Sequence, residues 1–271
     1  MSRANAGLIV GILVVIICRN ACGWGPSAHT YVAKQIVGVT WLDALYASML
    51  PDMFGFGGTP EMESRVQRLT HDEFDRLAPS SFAFGFATHN GYWGADFYSH
   101  SYWNPSIPDT YLTSRMKQFA SEFGRSVNDG ETVLEAVVDY LIRKDLGAEW
   151  GGLVASTANA VGGSQEQAIV DAFAKPLSER VSGLSVDAAG NALRNMFQQH
   201  RILTRVYGQQ LELNDIDFIR ATLVSGFAAY FHVEDAVAET YMARAEELCW
   251  DYRDELDAIA QKVAVELNEI G

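Results

Sequence analysis

The chain has 271 residues, 48% of them hydrophobic, with 34 acidic residues against 20 basic ones and a formal net charge of −14. That length and apolar content support one large domain or two small ones, and the lack of charge runs or low-complexity tracts excludes a disordered class. The acidic surface repels the phosphate backbone of nucleic acid at long range, but phosphate-ester chemistry stays open because bound cations reverse the field inside a cleft.

The N-terminus reads as an export signal. Arg3 precedes the uncharged apolar run Ala6 to Cys18, which is too short to span a bilayer but suits a signal-peptide core. Ala21-Cys22-Gly23 places small residues at the third and first positions before Trp24. Residues 1–23 are therefore expected to be cleaved between Gly23 and Trp24, giving a secreted or periplasmic chain of residues 24–271. A lipid anchor at Cys22 ranks second, because Arg19-Asn20-Ala21 is a weak lipobox. Cleavage removes Arg3, Arg19 and no acid, so the mature chain is more acidic still. Cys18 and Cys22 leave with it. Cys249 is then alone, and stability must come from packing rather than an internal disulfide.

The rest of the chain predicts helices. Pro26 opens one running toward Val37, and Trp41–Leu50 is a short apolar one ended by Pro51. MFGFGGTP (53–60) is a loop. Glu61–Leu77 has helical periodicity, and Phe82–Tyr102 is an aromatic segment with helical offsets. NPSIPD (104–109) is a loop, Tyr111–Val127 and Thr132–Leu146 are amphipathic, and Gly151, Gly152, Gly162 and Gly163 bracket an unassigned region. Helices follow at Gln165–Val181, Ala188–Tyr207, Asp215–Leu248 with a break near Gly226, and Asp251–Asn268. No period-two run bounded by turn residues is present. The expectation is an all-α, single-domain, multi-helix fold.

THNGYWGADFYSHSYW (88–103) carries the first chemical signal. On a helix His89, Asp96 and His100, at offsets of seven and eleven, share one face. A buried carboxylate costs several kcal/mol unless paired or bound to a metal, so Asp96 with a histidine on each side favours a metal site over core packing. His71 has Asp75 at i+4, against which a solvated surface histidine is the plainer reading. His232 has Asp235 at i+3 and Glu239 at i+7, against which a buried histidine capped by a carboxylate is the plainer reading. His200 has no acid at helical spacing and reads as ordinary. At a mature terminus, the Trp24 amino and carbonyl groups can chelate a cation, with His29 completing the set. Helical bundles build multi-metal sites from such side chains, and imidazole suits zinc.

WGPSAH (24–29), LPDMF (50–54) and ATH…ADFYSHS (87–101) resemble the zinc-dependent phospholipase C family, which includes secreted bacterial enzymes and the animal glycosylphosphatidylinositol-specific phospholipase D. The likeness covers residues 24–103 and is weak afterwards. It implies a phospholipase C/nuclease-like all-α fold around two to three Zn²⁺ ions. By resemblance, Trp24 and His29 hold one zinc. Asp52 stands at the mouth as a metal ligand and general base, and His71 is a further ligand. His89 and Asp96 hold the central zinc, with Asp96 bridging to the Trp24 site. His100 begins the remaining site, closed by His232 with Asp235 or Glu239. Three departures stand out. His89 and Asp96 are seven apart where the family has four. His232 lies far from His100 in sequence, which makes 104–214 a helical insertion. Ala236 occupies the place of an acid four residues after His232.

These features make a secreted zinc-dependent phosphodiester hydrolase the leading expectation. Its substrate would be a phospholipid or other phosphodiester, with transient membrane-surface contact through the aromatics of FGFGG (54–58) and SYWNPSIP (101–108); loop packing is their alternative role. Two other classes fit parts of the pattern. A trinuclear-zinc single-strand nuclease shares the helical plan, but the acidic surface and single mature cysteine oppose it. A non-catalytic metal-binding helical protein would tolerate the shifted spacings.

Overall fold

A computed structural model describes residues 25–100 and 110–270. The expected signal segment, its cleavage site, Trp24 and the 101–108 stretch lie outside the described residues. Every regular element among the described residues is helical, as the sequence predicts.

Local rules explain most boundaries. Helix α1 (Pro26–Val37) begins with proline in its first turn and stops at Gly38, whose φ of 75° is open to glycine. Helix α2 spans Leu42–Ala47, followed by a 3₁₀ helix over Leu50–Phe56 where a loop was expected from residue 53. Phe54 is buried there, edge-on to His71, so FGFGG packs inward at that position. Helix α3 (Pro60–Asp72) is capped by the Thr59 hydroxyl, which accepts from Met62 N–H.

The aromatic segment is not one helix. It forms α4 (Ser81–Ala87) and α5 (Ala95–Ser99), joined by a turn that carries His89. Gly94 and the Asn90 carboxamide enforce the turn: Asn90 Oδ1 accepts from the N–H groups of Tyr92 and Trp93 at 2.9 and 3.0 Å. Such side-chain bonding competes with helix continuation.

Helix α6 covers Tyr111–Phe123, and α7 (Val127–Leu146) opens with a Ser126–Asp129 capping box. The glycine-bracketed region is helix α8 (Ala148–Asn159). Then come α9 (Gly163–Arg180) and α10 (Val186–Leu213). The expected break near Gly226 falls later. Helix α11 (Ile216–Phe231) ends at His232, in the left-handed region at φ 53°, with Val233 N–H bonded back to the Ala228 carbonyl. Helices α12 (Asp235–Leu248) and α13 (Tyr252–Ile270) complete the chain.

Two hydrophobic clusters form. One gathers α1, α6, α7, α11, α12 and α13; the other gathers α2, the 3₁₀ helix, α3, α4 and α9. Helices α8 and α10 contribute to both, so the clusters are continuous layers rather than separate domains. Where α8 and α10 cross, a Cβ on Gly208 would stand 2.4 Å from Ala155 N and 2.8 Å from Gly151 O. Only the missing side chain lets the backbones approach so closely. Segment 104–214 is thus integral to the fold: α7 runs through the core, with its residues from Gly130 to Arg143 buried.

Candidate metal centre

The seam between the layers holds a set of buried polar side chains: His29, Asp52, His71, His89, Asp96, His100, Glu131 and Glu135. Five pieces of local structure and α7 deliver them. His29 is in the second turn of α1, Asp52 in the 3₁₀ helix and His71 at the end of α3. His89 sits in the 88–94 turn, Asp96 in α5, and His100 caps α5.

Asp52 is the hub of the first group. Its oxygens lie 3.6 Å from His29 Nε2, 3.5 Å from His71 Nε2 and 3.6 Å from His89 Nε2. The His29 and His89 rings stack at 4.1 Å, and the His71 ring stands edge-on to His89. Backbone carbonyls orient two of these rings. His89 Nδ1 donates to the Ser48 carbonyl at 2.9 Å, and His71 Nδ1 donates to the Gln67 carbonyl at 2.9 Å. A carbonyl only accepts, so each Nδ1 carries the proton and a neutral ring has a bare lone pair at Nε2. The two Nε2 atoms are nevertheless 3.1 Å apart. Two lone pairs and a carboxylate oxygen converge on one point, and such a point calls for a cation or a shared proton.

The turn resolves the odd spacing. Asp96 N–H donates to the His89 carbonyl at 2.9 Å, flanked by Ala95 N–H to Thr88 O at 2.7 Å. These bonds across seven residues fold the chain back, so Asp96 on α5 reaches His89 in the turn and His71 on α3 without sharing a helix with either. The expected bridge from Asp96 to the Trp24 site falls outside the described residues; Asp52 links His29 to His71 and His89. Asp96 links that pair to His100, whose Nδ1 is 3.3 Å from Asp96 Oδ1.

The third group also differs from expectation. His100 Nε2 is 3.4 Å from Glu131 Oε1 and 3.2 Å from Glu135 Oε1, both on α7. His232, Asp235 and Glu239 are not gathered there: all three are exposed, and Glu239 pairs with Arg220 at 2.6 Å. His232 serves instead as the left-handed end of α11. The missed residues had a signal. Glu131, Glu135, Asp139 and Arg143 recur every fourth residue in ETVLEAVVDYLIR, one charged stripe along a helix otherwise apolar enough to be buried.

Asp139 continues that stripe and anchors α1. It accepts from Ser27 N–H at 3.0 Å, Ala28 N–H at 2.9 Å and the Tyr207 hydroxyl at 2.5 Å. These are orphan donors at a helix N-terminus, where a carboxylate is favoured. Burial raises its carboxyl to about 6 against the downward pull of those bonds. A Cβ on Gly25 would stand 2.5 Å from Asp139 Oδ2, so glycine is required for this contact.

Electrostatics divide the four histidines: burial lowers His71 and His100, but Asp52 and Asp96 outweigh it and hold both above the ordinary histidine value. Burial and the neighbouring imidazoles push His29 and His89 well below the ordinary histidine value. Burial pushes Asp52 up, but His89 and His71 outweigh it and hold the carboxyl low. Burial lifts Glu131 to about 7. Both ring nitrogens of His29, with Asp52 Oδ1, Asp96 Oδ1 and Glu131 Oε1, are buried without a hydrogen-bond partner. Leaving such atoms bare costs about 1–3 kcal/mol each, more when charged. Three sets of ligand atoms converge within 4.8 Å: His29–Asp52–His89, His71–His89–Asp96 and His100–Glu131–Glu135. The donor types and orphaned atoms fit metal ions. His200, read as ordinary, is a buried packing residue whose Nδ1 is 3.0 Å from the Tyr46 hydroxyl.

Among the described residues, no helix is long and apolar enough to cross a membrane. Comparison of the chain with protein-family models, with curated proteins and with solved structures finds no match.

Proposed function

We propose that this protein is a zinc-dependent phosphodiester hydrolase of phospholipase C-like type, built on two or three metal ions. The observation that supports it most is the meeting of the His71 and His89 Nε2 atoms at 3.1 Å, each ring locked by a carbonyl behind it. Divalent ions held there would supply positive charge for phosphodiester oxygens and lower the pKa of water toward neutrality.

The chain's own residues divide the remaining work. His29, His71, His89 and Asp52 form the imidazole-rich pocket; His100, Glu131 and Glu135 form the acidic one; Asp96 joins them. Asp52 faces imidazoles on both oxygens and is 7% exposed. It stands at the centre of the three imidazoles, and the resemblance assigns it the roles of metal ligand and general base. Tyr92 is 59% exposed in the turn between His89 and Asp96. Ser48 supports the first pocket: its carbonyl accepts from His89 Nδ1 at 2.9 Å, and its hydroxyl donates to the Leu45 carbonyl at 2.8 Å beside the His29 carbonyl.

Metal analysis of protein purified without chelator should find about two to three zinc ions per chain. Hydrolysis of a chromogenic phosphodiester should fall by roughly 100-fold or more in Asp96→Asn, with helicity unchanged. Parallel assays on phosphatidylcholine vesicles and single-stranded DNA identify the substrate class. Protein that binds no metal, or full activity in Asp96→Asn, would refute the proposal.

A further inference from the structure

The two pockets offer different chemistry. The first presents three imidazoles and one central carboxylate. The second presents one imidazole and two carboxylates, Glu131 and Glu135, fully inside the protein. His100 is polarised between acids: Nδ1 faces Asp96 Oδ1 at 3.3 Å, and Nε2 faces the two glutamates. If Nδ1–H is held by Asp96, only Nε2 is left to ligate. Glu131 Oε1 is buried without a hydrogen-bond partner and aims at the same point, 3.4 Å from that Nε2. Imidazole favours zinc, whereas carboxylate oxygens favour harder ions such as Mn²⁺ and Mg²⁺.

We propose that the His100–Glu131–Glu135 pocket is a hard-cation site distinct in selectivity from the imidazole-rich pocket, and that it carries Mn²⁺ when zinc is limiting. The centre is then heterometallic. Zinc binds more tightly than manganese to most ligand sets, so the difference lies in the order of filling. Scarce zinc enters the imidazole pocket, and an abundant harder ion keeps the acidic one. This inference rests on the proposed metal centre.

The test is a zinc titration of the metal-free full-length chain held in excess Mn²⁺, followed by gel filtration, metal content by mass spectrometry and electron paramagnetic resonance of the retained Mn²⁺. The wild type should hold zinc and about one Mn²⁺ per chain until zinc is in excess. Glu131→His adds a second imidazole, so retained Mn²⁺ should fall roughly tenfold with zinc taking its place. Glu131→Gln should lose the Mn²⁺ and keep the remaining zinc. Wild-type protein that holds zinc but no Mn²⁺ at every ratio overturns the inference and leaves the metal centre standing. So does Mn²⁺ retention unchanged in both variants. Protein that retains neither metal overturns the metal centre itself.

Discussion

Gly208→Ala tests how closely the fold is built around the α8–α10 crossing. The new Cβ would lie 2.4 Å from Ala155 N and 2.8 Å from Gly151 O, both backbone atoms. Reaching ordinary contact near 3.4 Å requires the helices to part by about 1 Å, and overpacking of this kind costs about 1–3 kcal/mol. Alanine returns about 1 kcal/mol of helix propensity. The net loss is about 0–2 kcal/mol, which for a chain of this size lowers Tm by up to roughly 8 °C. Gly190→Ala, in the same helix, is the control. Its Cβ would meet the Val170 Cγ1 methyl at 3.2 Å, a side chain that can shift, so the propensity gain should survive. Thermal unfolding followed by circular dichroism separates the two. The residue before Gly208 is Tyr207, which holds Asp139. Parting the helices should therefore also loosen α1 and reduce metal retention. Equal melting temperatures for the two variants would refute the argument.

Removing metal with a chelator should lower Tm by roughly 10 °C, because an ion at 1,000 times its Kd contributes about 4 kcal/mol, and adding zinc back should restore it. Asp139 has a folded value of about 6 against a usual 3.8, so the folded state binds more protons between those values. Its contribution is full below the unfolded value and is lost as pH rises through about 6. Denaturant titrations should show wild type gaining about 2 kcal/mol relative to Asp139→Asn as pH falls from 7 to 4; a pH-independent difference would sink this account. Burial pushes the Cys249 thiol up to about 12. In a chain starting at Trp24 it should resist thiol reagents at pH 8 and react in denaturant.

The sequence exposed the helices because periodicity, proline starts and glycine ends are local signals. It exposed most of the buried histidines and acids because such residues are few and carry motifs. It misled where backbone leaves the helix. His89 and Asp96 match a helical offset, yet a turn held by Asn90 unites them. Glu131 and Glu135 lie outside the motifs that carry the resemblance, which points instead to a later histidine. A buried stripe of acids every fourth residue was the better guide. No local pattern revealed that α7 would lie against His100, since that contact depends on packing between distant helices.

Helix α7 also constrains the order of assembly. Among the described residues, the imidazole-rich pocket draws its ligands from residues 29–96, while His100 waits for residues 131–135. A ribosome-bound chain can therefore gather its histidines before it owns the acids that complete the centre. Glu131, Glu135 and Asp139 enter a hydrophobic interior in company with apolar neighbours. Their insertion is cheap only once α1 and His100 stand ready to receive them, and an ion in the proposed centre would couple that last step of folding to its capture. Loss of cations in the cell would then show as slow maturation and proteolysis of half-assembled chains before it showed as lost turnover.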